Sequence, residues 1–273
     1  MDDLVSICIP AYNNADEICA TIESVLAQTY VHIELVIVDD ASKDDTVKVV
    51  SGFQDNRIHL HQNKTNLGMS GNWNRCVSLC KGEFIKLLCA DDILFPDCIE
   101  KEVEAMTSKE QPIMTISDSV MINTKKKKLG VFGRYPKKGI ISGEKLAHKS
   151  LIWNNFFGMP CAVMFRKNVF EKVGGFDSQF KYILDYDLWL SMAPFGKVMV
   201  LPYKLNYFML RNDSNTGKLL TKGNPVYYEE HVSLLRKHAK ELHVGTVGIL
   251  ISKLSRRIRS QVYGIWLKHV LAN

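Results

Sequence analysis

The stretch Ile33-Glu34-Leu35-Val36-Ile37-Val38-Asp39-Asp40 decides how this chain is built. A short, mostly apolar and β-branched run ends abruptly in two adjacent carboxylates. It reads as a buried strand that stops at a polar edge. The same grammar recurs on either side. Val5–Ile9 runs into Pro10-Ala11-Tyr12-Asn13, and Glu83–Cys89 runs into Asp91-Asp92, with a further strand over Ile58–His61. Helical spacing fills the intervals. Asn14 and Glu17 form a capping-box pair ahead of Ile18, Ile22, Val25 and Leu26. Ser42–Asp45 opens a helix carrying Val47, Val49 and Val50, and Ser70 opens one carrying Trp73, Val77 and Cys80. Pro96 suits the first turn of a helix reaching about Met106. Strand–helix alternation of this kind predicts an α/β fold with a Rossmann-like, mostly parallel sheet flanked by helices.

After Pro112 the rhythm changes. Strands are expected at Ile113–Ser119, Ala162–Phe165, Val198–Leu201 and Leu205–Leu210, and helices at Ser142–Leu151, Lys167–Val173 and Asp185–Ala193. Gly174-Gly175 stops the second of these helices. Val120–Thr124 and Leu129–Phe132 flank four lysines, 125–128, read as a solvated hairpin tip. The tail from about Asn224 is helical. The expected organisation is a catalytic domain over 1–222, with halves 1–110 and 111–222, and a helical appendage over 223–273.

Composition narrows the class. With 273 residues, 46% hydrophobic and 23% charged, the chain reads as a globular protein with a substantial core. There is no apolar run long enough for a spanning helix, and the first residues lack the basic and apolar segments of a signal peptide. Seven cysteines, an odd number without a C-x-x-C pair, fit buried thiols in a reducing cytoplasm better than a zinc site. The net charge of +6 suits an anionic ligand or an anionic membrane surface. The basic residues are dispersed or terminal, which argues against a nucleic-acid partner.

Ligands of open parallel sheets bind beyond the carboxyl ends of the strands. Three polar clusters, Pro10–Asn13, Asp39-Asp40 and Asp91-Asp92, fall at such ends. One acidic pair there is ordinary, because Asp caps helices and favours turns. Two pairs at one edge need a cation or donor groups to offset their repulsion. A nucleotide sugar accounts for both. Carboxylates can hold Mg²⁺ or Mn²⁺ against a diphosphate. A pyrimidine N3–H and its ring call for a carboxylate and an aromatic face, and Asp40 and Tyr12 are of those types.

The ordered set of motifs makes this specific. It comprises Ser6-Ile7-Cys8-Ile9-Pro10-Ala11-Tyr12-Asn13, Ser24–Tyr30, Val38–Thr46, Asn66-Leu67-Gly68-Met69-Ser70-Gly71-Asn72-Trp73-Asn74, Gly82–Ile85, Asp91–Pro96, Gly174-Gly175-Phe176-Asp177 and Asp185–Leu190. Over residues 4 to 216 it resembles the family-2 glycosyltransferases. The resemblance implies a GT-A fold, an inverting transfer and a set of roles. Tyr12 and Asp40 meet the nucleobase with Asp39 near the same pocket. Asp91 contacts ribose or donor sugar, Asp92 holds Mn²⁺ or Mg²⁺, and Asp185 is the catalytic base. Pro10, Asn13, Asn66, Gly68 and Asn74 complete the donor site. Arg211 stands where the family often has a His, and it could meet the diphosphate but not a metal. Leu184 replaces an acid common before the base. The region of Trp153, Asn154, Asn155 and Met159 is where an acceptor pocket is expected, although Trp and Met there serve equally as core.

Taken from the residues alone, Asp185 could merely cap the helix that buries Leu188, Trp189 and Met192, with Asp187 in its first turn favoured by the helix dipole. The alternatives to catalysis are a degenerate sugar-nucleotide-binding protein and a nucleotidyltransferase. The first needs no base. The second usually has a Gly-rich, Arg/Lys-bearing loop where Pro10-Ala11-Tyr12-Asn13 stands. The expected partners are a nucleotide-diphospho-sugar, UDP-sugars first, and a glycan or lipid-linked acceptor. The tail over 246–271 has no Asp or Glu, and carries Ile251, Leu254, Ile258, Val262, Ile265 and Trp266 as one apolar stripe beside Lys253, Arg256, Arg257, Arg259 and Lys268. It is expected to lie on the inner face of the cell membrane, the alternative being packing on the catalytic domain or on a second copy of the chain.

Overall fold

The computed structural model describes residues 3–132, 135, 137–211 and 225–271, with 225 and 260–271 as backbone only. Four parallel strands form its first half: β1 (Val5–Ala11), β2 (Ile33–Asp39), β3 (Ile58–Gln62) and β4 (Phe84–Leu87). β1 and β2 are buried along their whole length, as strands covered on both faces must be. The helices between them are α1 (Ile18–Leu26), α2 (Thr46–Ser51) and α3 (Gly68–Leu79), and α4 (Cys98–Met106) follows β4 and the short β5 (Ile93–Leu94).

The second half adds β6 (Met114–Ile122), β7 (Lys128–Phe132), β8 (Gly139–Ser142), β9 (Val163–Arg166) and β10 (Lys197–Met209), with α5 (Gly143–Ile152), α6 (Lys167–Val173) and α7 (Leu184–Met192). One mixed sheet runs β3-β2-β1-β4-β9-β6-β10-β5, with β7 on β6 and β8 on β10. β9 is antiparallel to both β4 and β6, so β6 and β10 point the same way as β1–β4. The sheet is thus mostly parallel in direction, and β5, β7, β8 and β9 are the reversed strands. Two apolar clusters cover its faces, one centred on Trp189 and Phe165, the other on Ile7, Ile9 and Ile37.

Several boundaries differ from the sequence reading, each for a physical reason. Glu17 and Asn14 make no capping box. The Asn14 side chain accepts from the Tyr12 N–H, and the Glu17 carboxylate pairs with Arg211. Helix α4 starts at Cys98 rather than Pro96, because the Pro96 carbonyl is held by the Thr29 N–H. The two late strands are one strand, β10, whose register shifts between Val200 and Asn206, around a proline that cannot donate to the ladder. The lysine run is a hairpin tip, organised by the Asn123 side chain accepting from the N–H groups of Lys125 and Lys127. The described cysteines are free thiols, most of them buried.

The tail forms α8 (Pro225–His238) and α9 (Thr246–Leu271). α8 docks on the catalytic half by burying Leu234 and Leu235 in the core around Trp189, and the Asp187 carboxylate meets His238 at 2.7 Å and Lys237 at 2.9 Å. α9 rests on α5 through Ser252 and Arg256, both buried. Leu254 and Ile258 of the expected stripe face outward. The side chains of Val262, Ile265 and Trp266, and the boundary at 222, lie outside the described residues.

Candidate active site

The carboxyl ends of β1, β2, β3 and β4 share one edge, since Ala11 pairs with Asp39, Asp39 with Gln62, and Cys8 with Leu87. The loops beyond them are stitched together. Asn13 (φ +54°) gives its N–H to Ser42 Oγ at 2.9 Å and accepts from the Lys43 N–H at 2.8 Å. Ala41 (φ +59°) faces it with an equally unusual backbone for a residue with a side chain. Strain shared by two adjacent loops is tolerated where the surroundings over-determine it, as at ligand clamps. Pro10 is buried in β1, and Tyr12 stands clear at 46% exposure.

The two carboxylates after β2 have different environments. Asp40 is filled. Its Oδ1 accepts from the Leu67 N–H (2.8 Å) and Asn63 Nδ2 (2.6 Å), and its Oδ2 from the Gly68 N–H (3.0 Å). It therefore caps α3 from a neighbouring strand, which starts that helix at Gly68 instead of Ser70. Gly68, at φ +74°, makes the turn into the helix. Asn66 serves the same turn, giving Nδ2 to the Asp40 carbonyl and accepting from the Gly68 N–H. Asp39 Oδ2 accepts from the Ser42 N–H, but its buried Oδ1 has no hydrogen-bond partner among the described residues. Of the pair, Asp39 retains acceptor capacity. Asn63, not named from the sequence, and Asn72, quoted there in a motif but given no role, hold Asp40 in place, with Asn72 tied in turn to the Val38 carbonyl. Their only signal was polarity on otherwise ordinary segments.

Asn74 also has a structural partner. Its side chain both donates to the Phe176 carbonyl (2.9 Å) and accepts from the Phe176 N–H (2.8 Å). A Cβ on Gly175 would come within 2.4 Å of Asn74 Oδ1, so a glycine is needed there. Asn74 locks α3 to the 174–176 turn, which leaves its side-chain amide committed rather than open to the donor.

The loop after β4 is anchored on both sides. The ion pair of Lys86 on β4 with Glu102 on α4, 2.6 Å apart, is fully buried. Asp92 is also fully buried. Its Oδ1 accepts from the Met209 N–H at 3.0 Å, and its Oδ2 has no partner among the described residues. Burial, and then the charge of Asp91, push its pKa well above the usual carboxylate range. Asp91 sits nearer the mouth, 3.7 Å from Arg211 Nε. Arg211 also pairs with Glu17, so Arg211 bridges the start of α1 and the acidic loop.

Asp185 opens α7 at 9% exposure, and burial raises its pKa from 3.8 to about 7, opposed by the N–H groups of Tyr186 and of Asp185 itself. The charges of Asp92, Asp91 and Asp185 all bear on the Cys89 thiol, which burial and those charges push well above its ordinary pKa. Asp185, about ninety residues further along the sequence, therefore lies within electrostatic range of Cys89 in the loop that carries Asp91 and Asp92. Glu230 on α8 holds α7 in place. Its carboxylate accepts from the backbone N–H groups of Lys181 (2.7 Å), Tyr182 (3.0 Å) and Ile183 (3.2 Å), immediately before α7. This cap comes from another helix and has no local sequence signature. In the expected acceptor region Trp153 is half exposed, Met159 packs in the second core cluster, and Asn155 ties its own loop by accepting from the Phe157 and Gly158 N–H groups.

The family model for glycosyl transferase family 2 matches residues 6–174. The chain belongs to that family. Among its relatives, an uncharacterized glycosyltransferase of Rickettsia prowazekii is 34% identical over 69% of this chain and 58% of its own length. The chain thus spans less than two thirds of that relative. The Escherichia coli UDP-Glc:alpha-D-GlcNAc-diphosphoundecaprenol beta-1,3-glucosyltransferase WfgD is 32% identical over 70% of this chain and 71% of that one. The crystal structure of S. aureus TarS with UDP-GlcNAc has a TM-score of 0.67 at 15% identity, over 94% of this chain and 72% of that one. The fold is GT-A.

The residues of this family-2 chain fit a divalent cation. The unpartnered Oδ2 of Asp92, beside a second carboxylate, is a hard oxygen donor whose desolvated charge a cation would offset. Among the described residues no three His, Cys, Asp or Glu side chains form a closed metal site. Mg²⁺ and Mn²⁺ bound beside phosphates commonly need only one or two carboxylates.

Proposed function

We propose that the protein is an inverting glycosyltransferase that moves a sugar from a UDP-sugar to a hydroxyl of a lipid-linked saccharide. The observation carrying this reading is Asp185, a buried carboxylate raised to about pKa 7 whose charge, with those of Asp91 and Asp92, acts on Cys89 in the loop after β4, at the edge where Asp39 and Tyr12 also stand. Two acidic groups with separated roles at one site are the mark of acid–base tuning.

Asp39 Oδ1 is the acceptor for a pyrimidine N3–H, and the exposed Tyr12 ring is the face for the base. Asp40, capping α3, keeps Asp39 and the turn at Gly68 in position. Asp91 reaches ribose or sugar, and Arg211 supplies positive charge near the diphosphate. Asp92, with Asp91 beside it, would hold Mn²⁺ or Mg²⁺, which when bound offsets charge on the departing diphosphate. Asp185 takes the proton of the acceptor hydroxyl as its oxygen bonds to the anomeric carbon. The bond from that carbon to the diphosphate oxygen breaks, and the electron pair leaves with UDP. Attack opposite the leaving group inverts the carbon. A base near neutrality contributes about 10²–10⁴-fold, with positioning supplying much of the rest.

The lipid-linked acceptor is supported by the activity named for the E. coli relative, which acts on a diphosphoundecaprenol-linked sugar. Such an acceptor stays in a bilayer, so the enzyme would work at the cytoplasmic membrane surface. No helix among the described residues is long and apolar enough to cross a membrane. The test is a panel of nucleotide sugars with Mn²⁺ and a short-chain lipid-diphosphate sugar. UDP-sugar turnover dependent on Asp185 supports the reading. A stronger thermal shift from GDP than from UDP, or full turnover by Asp185→Asn, overturns it.

A further inference from the structure

Helix α9 packs with the wrong face for a core helix. Its fully buried residues, Ser252 and Arg256, are polar, with Ile249 packed against the core beside them. Ser252 Oγ donates to the Leu151 carbonyl at 2.6 Å and lies 2.9 Å from His231 Nε2. Arg256, 3% exposed, reaches the Ser150 carbonyl and the hydroxyls of Tyr186 and Tyr227, 3.4–3.5 Å away. The outward residues are apolar. Val247, Leu250, Leu254 and Ile258 are 70%, 60%, 61% and 53% exposed. They recur at intervals of three, four and four, so they form one stripe along the helix. Ten large hydrophobics are exposed among the described residues, and four of them are on this stripe. Such clustering marks an interaction surface, whereas scattered exposed residues need no explanation.

Charge identifies the partner. Lys253 and Arg257 border the stripe on one side, and there is no acidic residue from Thr246 to the end of the sequence. A second copy seated symmetrically on this stripe would bring the same cationic borders against each other. An anionic lipid surface matches both features: headgroups meet the bases, and the acyl boundary takes the side chains. We propose that the outward face of α9, from Val247 to Ile258, docks the protein on an anionic membrane surface with the helix lying in the interface plane. Its packing through Ser252 and Arg256 on α5, beside Tyr186 of α7, holds the catalytic half at a set distance from the lipid. The proposal stands apart from the glycosyl-transfer reading, because docking needs no turnover.

The experiment is flotation of the full chain with vesicles of phosphatidylcholine alone and of phosphatidylcholine with phosphatidylglycerol, at low and high salt. The expected result is flotation with the anionic vesicles at low salt, weakened by salt and absent with neutral vesicles. Leu250→Ser/Leu254→Ser alters only exposed side chains, so the variant should keep its melting temperature while losing at least about tenfold in vesicle affinity. Lys253→Gln/Arg257→Gln should lose about tenfold and show a shallower salt dependence. Absence of flotation by the parent, or equal flotation by the apolar double variant, overturns the proposal. So does light scattering that shows a dimer of the parent converted to monomer by Leu250→Ser/Leu254→Ser, which would make the stripe a subunit interface.

Discussion

Replacing Asp185 by Asn should damage catalysis and strengthen the fold, and the second effect should depend on pH in a defined way. The folded protein holds the Asp185 carboxyl at a pKa of about 7, against 3.8 for an ordinary aspartate, because burial disfavours its charge. The folded state therefore binds this proton more tightly than the unfolded chain. The associated stability is fully present below pH 3.8 and is lost as pH rises to about 7. Each pH unit in that window is worth about 1.4 kcal/mol, so the loss reaches about 4 kcal/mol at pH 8. Asn does not titrate and nearly matches the shape. Its advantage over Asp should grow by about 1.4 kcal/mol per unit between pH 5 and 7, and level off above. Urea denaturation of both proteins across pH 5–8.5, in chelator and without nucleotide, measures this directly. Transfer activity of the parent should fall about tenfold per unit below pH 7, and the variant should lose about 10²-fold or more at every pH. A stability difference that stays constant with pH would refute the reasoning, since Asp185 would then ionise as freely in the fold as in the unfolded chain.

Mn²⁺ with UDP should raise the melting temperature, and Asp92→Ala should abolish the metal-dependent part of the shift, as read by thermal denaturation with and without chelator. Asp39→Asn should weaken UDP binding by about tenfold or more in calorimetry with little change in stability, whereas Asp40→Ala should cost about 3 kcal/mol through three lost charge-assisted hydrogen bonds. Equal effects of the two variants on folding would remove the distinction drawn between these carboxylates. Glu230→Ala should lower kcat more than it changes the KM for the donor, because it frees the segment ahead of α7 without touching the nucleotide pocket, and steady-state kinetics separate the two. Lys86→Met should destabilise the protein by about 3–5 kcal/mol in denaturant titrations, since it strands the Glu102 charge in the core.

Much of the architecture was legible in the order of residues because its signals are local. β2 carries the apolar run Leu35–Val38, and α6 ends where Gly174 takes the left-handed conformation at φ +85°. The same locality explains the polar edge: Asp39-Asp40 and Asp91-Asp92 follow β2 and β4, which flank β1 in parallel, so their carboxyl ends lie on one edge of the sheet. What the sequence could not assign was the division of labour at that edge. Asp39 and Asp40 are adjacent and chemically identical, yet one retains an open oxygen and the other is consumed by α3, because the Leu67 and Gly68 N–H groups arrive from far along the chain. Asn74 looked like part of the donor site and proved to be tied to Phe176, a hundred residues away. The near-neutral pKa of Asp185 is likewise a property of burial, which exists only once α7 is packed. For α9, periodicity in the sequence revealed an apolar stripe through Ile251, Leu254 and Ile258, and tertiary packing shifted it, leaving Ile251 half-buried and exposing Val247 and Leu250 beside Leu254 and Ile258. Ser252 and Arg256 found hydrogen-bond partners on α5, α7 and α8, and their burial turned Leu250, Leu254 and Ile258 toward solvent.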